Sequence, residues 1–448
     1  MTTLARKLRL ADYFTLGWGT MVGVGWLVVM DDWLTRGGPL GGILGFALGA
    51  LLLLPIAYVY GQLVPRMPDA SSEVAYTAAV FPQWVSFATG WMMILAYFIV
   101  CPWEAVAAGR IAAYIFPALD SMELYRIAGH PVYLPHLVLG LVLTVLLTTL
   151  NYRGIALSAA FQNWTAFGVL ALFAVFAGSG FARGSARNFE PLFSHSGFLS
   201  VLLVMQIVPY YMTGFEAVSK SSEESRADFR GGDFFKAMVM AIVVAAGFYI
   251  VVIAAVGFAA PWEPLTKERF MTAVALERAI GAHWIVRVIL AAALLSLVKC
   301  FNGNFVAASR LLFALGRRGL VDARLARVHP VRQTPAAAVI WVGIATAICM
   351  LLGQAILVPI SEVGAMASGL GWAAACAAFL LMRPGTGARI VAVIGLLVGV
   401  LFAAMKVLPG IPGHFDRYEW LALGTWCGLG LALHVVERRR VGKREAGR

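Results

Sequence analysis

From Phe14 to Val436 the sequence keeps returning to long runs with scarcely a charge in them. A run of about 18 or more such residues crosses the hydrocarbon core of a bilayer as a helix, and a helix is one of only two structures that satisfy every backbone N–H and C=O there. Hydrophobic residues fill 60% of the 448 positions and charged residues 13%, more apolar surface than a fold in water can cover. Hydropathy, punctuated by Pro, Gly and charge, predicts twelve spans, near 12 to 35, 38 to 64, 83 to 116, 134 to 150, 158 to 179, 198 to 219, 236 to 258, 283 to 315, 335 to 353, 357 to 382, 388 to 408 and 418 to 436. The expected fold class is an all-α membrane protein, with the lipid bilayer as its solvent and first partner.

The start, MTTLARKLRLADY, runs straight into the first span with no small-residue cleavage site, which argues against a removable signal peptide. The net charge of +12 comes from Lys and Arg dispersed over short loops. That pattern reports topology and not nucleic-acid binding; its bias places both termini in the cytoplasm of a bacterial inner (plasma) membrane. The cluster from Arg310 to Arg332 and the tail at 437 to 448, ERRRVGKREAGR, read as anchors facing anionic lipid or as a regulatory or partner-binding tail. Cys101, Cys300, Cys349, Cys376 and Cys427 lie in apolar runs without ligand spacing, so they are expected to be free, buried and structural, with no metal and no cofactor. Residues 221 to 235 form a mixed-charge loop, and 260 to 281 an external amphipathic helix, a lid or a cover for helix ends, with Phe270, Val274, Leu276 and Ala279 available to pack.

Two spans are poor helices. Span 1 reads TLGWGTMVGVGWLVVMDDWL, with Gly17, Gly19, Gly23 and Gly25 close together; each interior Gly costs a helix about 1 kcal/mol relative to Ala. Either a neighbour packs unusually close or the helix is broken. Span 6, VMQIVPYYMTGFEAVSKSSEES, places Pro209, Gly214 and Glu216 in one apolar run. Proline removes a backbone donor, and an intramembrane carboxylate needs a partner or a wet cavity. Interrupted helices at corresponding positions of two halves point to a transporter site built from inverted repeats. The backbone groups they free suit a zwitterion, its carboxylate on N–H groups and its ammonium on carbonyls.

Several segments carry a resemblance. GVGW at Gly23 to Trp26, followed by GGPLG at Gly37 to Gly41, MPDASSEVAYTAAVFP at Met67 to Pro82, TGFEAVSKSSEESRADFR at Thr213 to Arg230, and AASRLLFALGRRGLVDARLARVHPVRQTP at Ala307 to Pro335 occur in the order of the amino acid/polyamine/organocation permease superfamily, which the chain resembles. The resemblance implies two five-helix inverted repeats, 12 to 179 and 198 to 382, of the type with helices 1 and 6 broken, plus two extra helices at 388 to 436. It implies that Val22, Gly23, Val24 and Gly25 bind a substrate carboxylate by backbone amides. It implies too that Pro209, Tyr210, Met212, Thr213 and Gly214 present carbonyls to the amine and line the side-chain pocket, with Phe215 as an aromatic gate and Glu216 as a gating carboxylate. The sequence departs from the family where Val24 replaces the common Ser and where Ser71 and Ser72 replace a Gly pair.

Glu104 and Lys299 lie deep in spans 3 and 8, and an intramembrane charge is a functional-site candidate. Sodium-driven relatives hold a cation between helices 1 and 8, and some members substitute a lysine on helix 5. Here span 5 offers Phe167, Gly168 or Val169 near that place and no lysine. Lys299 is therefore expected to supply the positive charge beside span 1 and to be the ion-coupling residue; the alternative is a structural lysine bonded to carbonyls. Glu104 is assigned to the pocket, accepting a cationic part of the substrate or carrying a coupling proton. Trp26 either caps the substrate or packs in the core. Asp31 and Asp32 are an external vestibule or solvated helix-end residues.

The resulting expectation is a secondary active transporter of amino acids or related amines working by alternating access, proton-coupled or an exchanger and sodium-independent. The alternative is a transporter-like sensor that binds without net transport. Catalytic motifs are missing, and single breaks are not the repeated polar ring of a channel. A homodimer is left open.

Overall fold

The computed structural model describes residues 6–226, 229–268, 270–281 and 284–446. In chain order its helices are α1 (Leu10–Met21), α2 (Gly25–Val28), α3 (Met30–Arg66), α4 (Glu73–Ala78), α5 (Gln83–Phe98), α6 (Val100–Ile115), α7 (Leu134–Arg153), α8 (Ile155–Arg183), α9 (Gly197–Met205), α10 (Val208–Met212) and α11 (Ala217–Lys220). They continue with α12 (Gly231–Ala259), α13 (Trp262–Leu265), α14 (Met271–Ile280), α15 (Trp284–Arg317), α16 (Ala336–Cys349), α17 (Leu357–Leu381), α18 (Thr386–Val407) and α19 (Arg417–Ala446). Among the described residues ten helical stretches are long and apolar enough to cross a membrane, α5 and α6 counting as one. The expected spans 1 and 6 fall short of that length because they are interrupted, between α1 and α2 and from α9 to α11. The first two expected spans meet inside α3, where Gly38 takes a left-handed φ of 64°.

Burial orders the bundle. In the most apolar stretch of Gln83–Ile115, 83% of residues are buried, against 22% in Leu134–Arg153 and 17% in Arg417–Glu437, so α5 and α6 run through the centre while α7 and α19 turn most of their surface to lipid. α1 lies against α8, α12 and α15, and α10 lies against α17 and α3.

The structure corrects several expectations. The chain is nearly, not wholly, helical: β1 (Glu123–Ile127) pairs antiparallel with β2 (His130–Tyr133), Tyr125 opposite Val132. Ala128 and Gly129, both at positive φ, make the tight turn that joins them. The segment 260 to 281 is not one helix but two, α13 and α14, parted where Phe270 takes a left-handed φ of 55°. Cys101, Cys300 and Cys376 are buried, but Cys349 is half-buried and Cys427 is exposed, the latter because α19 lies at the periphery. Asp32 is neither a bare vestibule group nor a solvated end: Arg36 binds it at 2.8 Å and reaches Glu362 at 3.0 Å, and Glu362 also pairs with the fully buried Lys406.

Candidate functional site: two helix breaks in contact

α1 ends at Met21, and the chain runs through Val22, Gly23 and Val24 before α2 begins. The N–H of Val22 closes α1 on the Trp18 carbonyl, so Val22 meets its surroundings through its carbonyl and not, as the resemblance implied, through its amide. The carbonyls that a continuing helix would have bonded are taken by side chains of α12 and α15. Lys299 Nζ donates to Val22 O, and to Gly19 O at 3.2 Å; Asn304 donates to Thr20 O at 2.9 Å. Tyr249 donates to Met21 O at 2.7 Å, and Ser296 to Gly23 O at 2.8 Å. The Lys299 ammonium also stands 4.2 Å from the centroid of the Trp18 ring, a cation–π distance. A buried ammonium set on carbonyls at the end of α1 is favoured by the negative end of that helix.

Glu104, on α6, reaches the same break from the other side. Its carboxylate stands beside Val24 and Cys300. A Cβ on Gly23 would stand 2.0 Å from Glu104 Oε1, so only glycine lets the carboxylate approach. Trp26 turns its ring to Phe176 and Phe248, the core-packing arrangement, and its carbonyl accepts from Thr272 of α14 at 2.7 Å.

In the second interruption α10 ends at Met212 and α11 starts at Ala217. Gly214 has φ of 137°, and a Cβ there would be 2.8 Å from Thr20 Cβ; the two breaks touch at this point. Pro209 opens α10 at a position where its missing N–H is harmless. Thr213 Oγ1 bonds Pro209 O at 2.7 Å and Ser368 Oγ at 2.5 Å. Glu216 Oε2 accepts from the Gly214 N–H at 3.1 Å. Met212 and Phe215 are fully buried, Phe215 with its ring against Trp372 and Tyr60. The Tyr210 hydroxyl is buried without a partner.

Both ends of this region are closed. On the N-terminal face Lys220 forms a fully buried pair with Glu73, whose Oε1 also accepts from Tyr60 at 2.5 Å. Around it Arg310 pairs with Glu224 at 3.3 Å and Arg318 with Asp69 at 2.7 Å. The opposite face carries α14 and the chain of charges from Asp32 to Lys406. A cavity of about 300 Å³ lies elsewhere, lined by Arg110, Asp120, His136 and Gln354; none of the break residues lines it, so its size does not make it the site.

The structure thus brings Val22 to Gly25, Glu104, Lys299 and the 209 to 216 segment together. The sequence reading missed Tyr249, Ser296, Cys300 and Asn304. Ser296, Lys299, Cys300, Gly303 and Asn304 follow i, i+3, i+4, i+7, i+8 spacing on α15, one helix face, which is the signal that would have found three of them.

Comparison with known proteins adds the family. A profile described as Amino acid permease matches residues 8–414. The chain is 27% identical over 372 residues to a branched-chain amino acid permease of Bacillus subtilis (strain 168), covering 80% of this chain and 76% of that protein. It is 25% identical over 450 residues to the methylthioribose transporter of the same organism, covering 98% and 94%. To cationic amino acid transporter 4 of Homo sapiens it is 26% identical over 375 residues, covering 78% and 56%. With the profile running through both breaks and every residue assembled around them, the chain belongs to the amino acid permease family: it is a multi-pass membrane transporter and not an enzyme.

Proposed function

We propose that the chain is a secondary active transporter of amino acids or related amines, working by alternating access around the paired breaks. The observation that carries this reading is the contact of Gly214 with Thr20, beside carbonyls that Lys299 holds. Two discontinuous helices that meet at the middle of a bundle form a site whose halves can separate on either side. The reading counts α1, α2 and the start of α3 as the first of twelve spans and α9 to α11 as the sixth. Residues 12 to 179 and 198 to 382 are then inverted five-helix repeats, 388 to 436 holds two further spans, and 437 to 448 is a basic tail. Both termini are assigned to the cytoplasm of the inner membrane from the bias of Lys and Arg.

Lys299 is proposed as a fixed cation in the place of a coupling sodium. A covalently held ammonium needs no ion from solution, which supports sodium independence and leaves proton coupling or exchange to drive transport. Thr213, Gly214 and Tyr210 are proposed to line the substrate pocket, with Phe215 and Glu216 between it and the Lys220–Glu73 closure. The relatives' names include branched-chain and cationic amino acids and methylthioribose, a sugar thioether without a carboxylate, so membership in the family does not by itself select an α-amino acid.

The test is uptake of labelled amino acids and amines by the purified protein in proteoliposomes, with and without a pH gradient. Saturable uptake accelerated by substrate loaded on the opposite side is expected. Saturable binding with no flux would replace this reading with that of a sensor.

A further inference from the structure

The backbone groups freed by the first break are already engaged by this chain's own side chains. On the carbonyl side, Gly19, Thr20, Met21, Val22 and Gly23 accept from Lys299, Asn304, Tyr249 and Ser296. On the amide side stands Glu104, 2% exposed, its carboxyl beside Val24 and filling the space that a side chain at position 23 would need. An amino acid bound here in the manner the resemblance implied would bring its carboxylate to the place that Glu104 Oε1 occupies beside Gly23. Charged or neutral, the Glu104 carboxyl fills that place, and when charged it repels a second carboxylate in a medium of low dielectric.

Two polar atoms of this region are buried without a partner: Glu104 Oε2 and the Tyr210 hydroxyl. Both are acceptors that an ammonium would satisfy, and leaving either of them unpaired is costly. Tyr210 comes from the second break and Glu104 from α6, so a cation between them would join the two halves of the site.

We infer that the solute bound at the breaks carries an amine and no carboxylate: Glu104 supplies the anion from within the protein, and its Oε2 with the Tyr210 hydroxyl receives the substrate ammonium. The inference rests on the transporter reading above and narrows it from amino acids or amines to amines. Gly23 is then required because it admits Glu104, and Val24 in the place of the family's common Ser loses nothing, since no substrate carboxylate needs its hydroxyl.

The experiment compares each of several α-amino acids with the amine left when its carboxylate is removed: lysine with cadaverine, arginine with agmatine, leucine with isopentylamine, phenylalanine with phenethylamine. Dissociation constants are measured on the purified full chain in detergent by ligand-induced thermal stabilisation. In at least one pair the amine is expected to bind tenfold or more tightly than its parent amino acid. Glu104→Gln, which keeps the shape and removes the charge, should weaken that amine tenfold or more. Glu104→Ala, which vacates the space beside Gly23, should strengthen the parent amino acid. The inference is overturned if amino acids bind as tightly as their amines throughout, if no compound of either kind binds, or if Glu104→Gln leaves amine affinity unchanged. Should either variant fail to fold, the ratio within each pair on the wild-type protein decides alone. Because binding is read separately from flux, an amine that binds but is not carried contradicts the transport reading and leaves this one standing.

Discussion

From Thr20 to Gly23 the backbone is held from outside through its carbonyls, by Tyr249 of α12 and by Ser296, Lys299 and Asn304 of α15. Between Thr213 and Glu216 it is held mostly by itself. Thr213 bonds back to Pro209, Glu216 reaches back to the Gly214 N–H, and Ser219 caps the Glu216 carbonyl at 2.5 Å; Ser368 of α17 is the added contact from another helix. A segment clamped by neighbouring helices moves only when they move, whereas one tied locally can swing as a unit. On the proposed transport reading, that difference assigns the first break to the fixed half of the site and the second to its hinge.

The sharpest way to break this comparison is at the point where the two meet. Gly214→Ala forces a side chain onto φ of 137° and against Thr20; strain and overpacking together are expected to cost about 2 kcal/mol or more. Thermal unfolding in detergent should fall accordingly, and transport with it. Next in size is Lys299→Ala, which leaves the Gly19 and Val22 carbonyls short of a donor in a buried site, a loss of about 1–3 kcal/mol, and should abolish flux. Smaller again is Ser296→Ala, at about 1 kcal/mol, expected to exceed Thr213→Val because the Pro209 carbonyl keeps the Thr213 N–H as a donor. If Thr213→Val proves the more costly, the second break is clamped from outside as well and the contrast fails.

The smallest expected effect lies outside the spans. Burial pushes the Asp69 carboxyl up, but hydrogen bonds from the Ser71 hydroxyl and N–H, with the Arg318 and Arg317 guanidiniums beside it, outweigh that and hold it below the ordinary aspartate value. A carboxyl lowered in the folded state adds stability that is present above its unfolded pKa and is lost as pH falls through its folded one. Acid below about pH 4 should therefore loosen the N-terminal face, and Asp69→Asn should flatten that part of the stability profile measured by thermal unfolding.

Which of these features could be read from the sequence follows from how each is encoded. The breaks announce themselves because Gly23, Gly25, Pro209 and Gly214 defeat helix geometry locally, without reference to any partner. The depth of Glu104 and Lys299 follows from counting residues. What the side chains touch does not, since a single serine, asparagine or tyrosine in an apolar helix carries no sign of which neighbour it faces; Tyr249 and Ser296 became part of the site only when α12 and α15 were placed beside α1. The hairpin at 123 to 133 escaped notice because two strands of five and four residues, with only Val132 buried among them, are too short to give a period. The resemblance brought the 22 to 25 segment into the site and assigned its amides to a ligand; what it did not bring is Glu104, which the structure sets beside Gly23.

The claim on which the rest depends is that Lys299 stands in for a dissolved cation at the first break. The direct measurement is substrate flux into proteoliposomes with all sodium replaced by potassium. Unchanged flux in the wild-type protein, together with its loss in Lys299→Ala, is the result this account predicts. Flux that requires sodium while Lys299 is intact would contradict it.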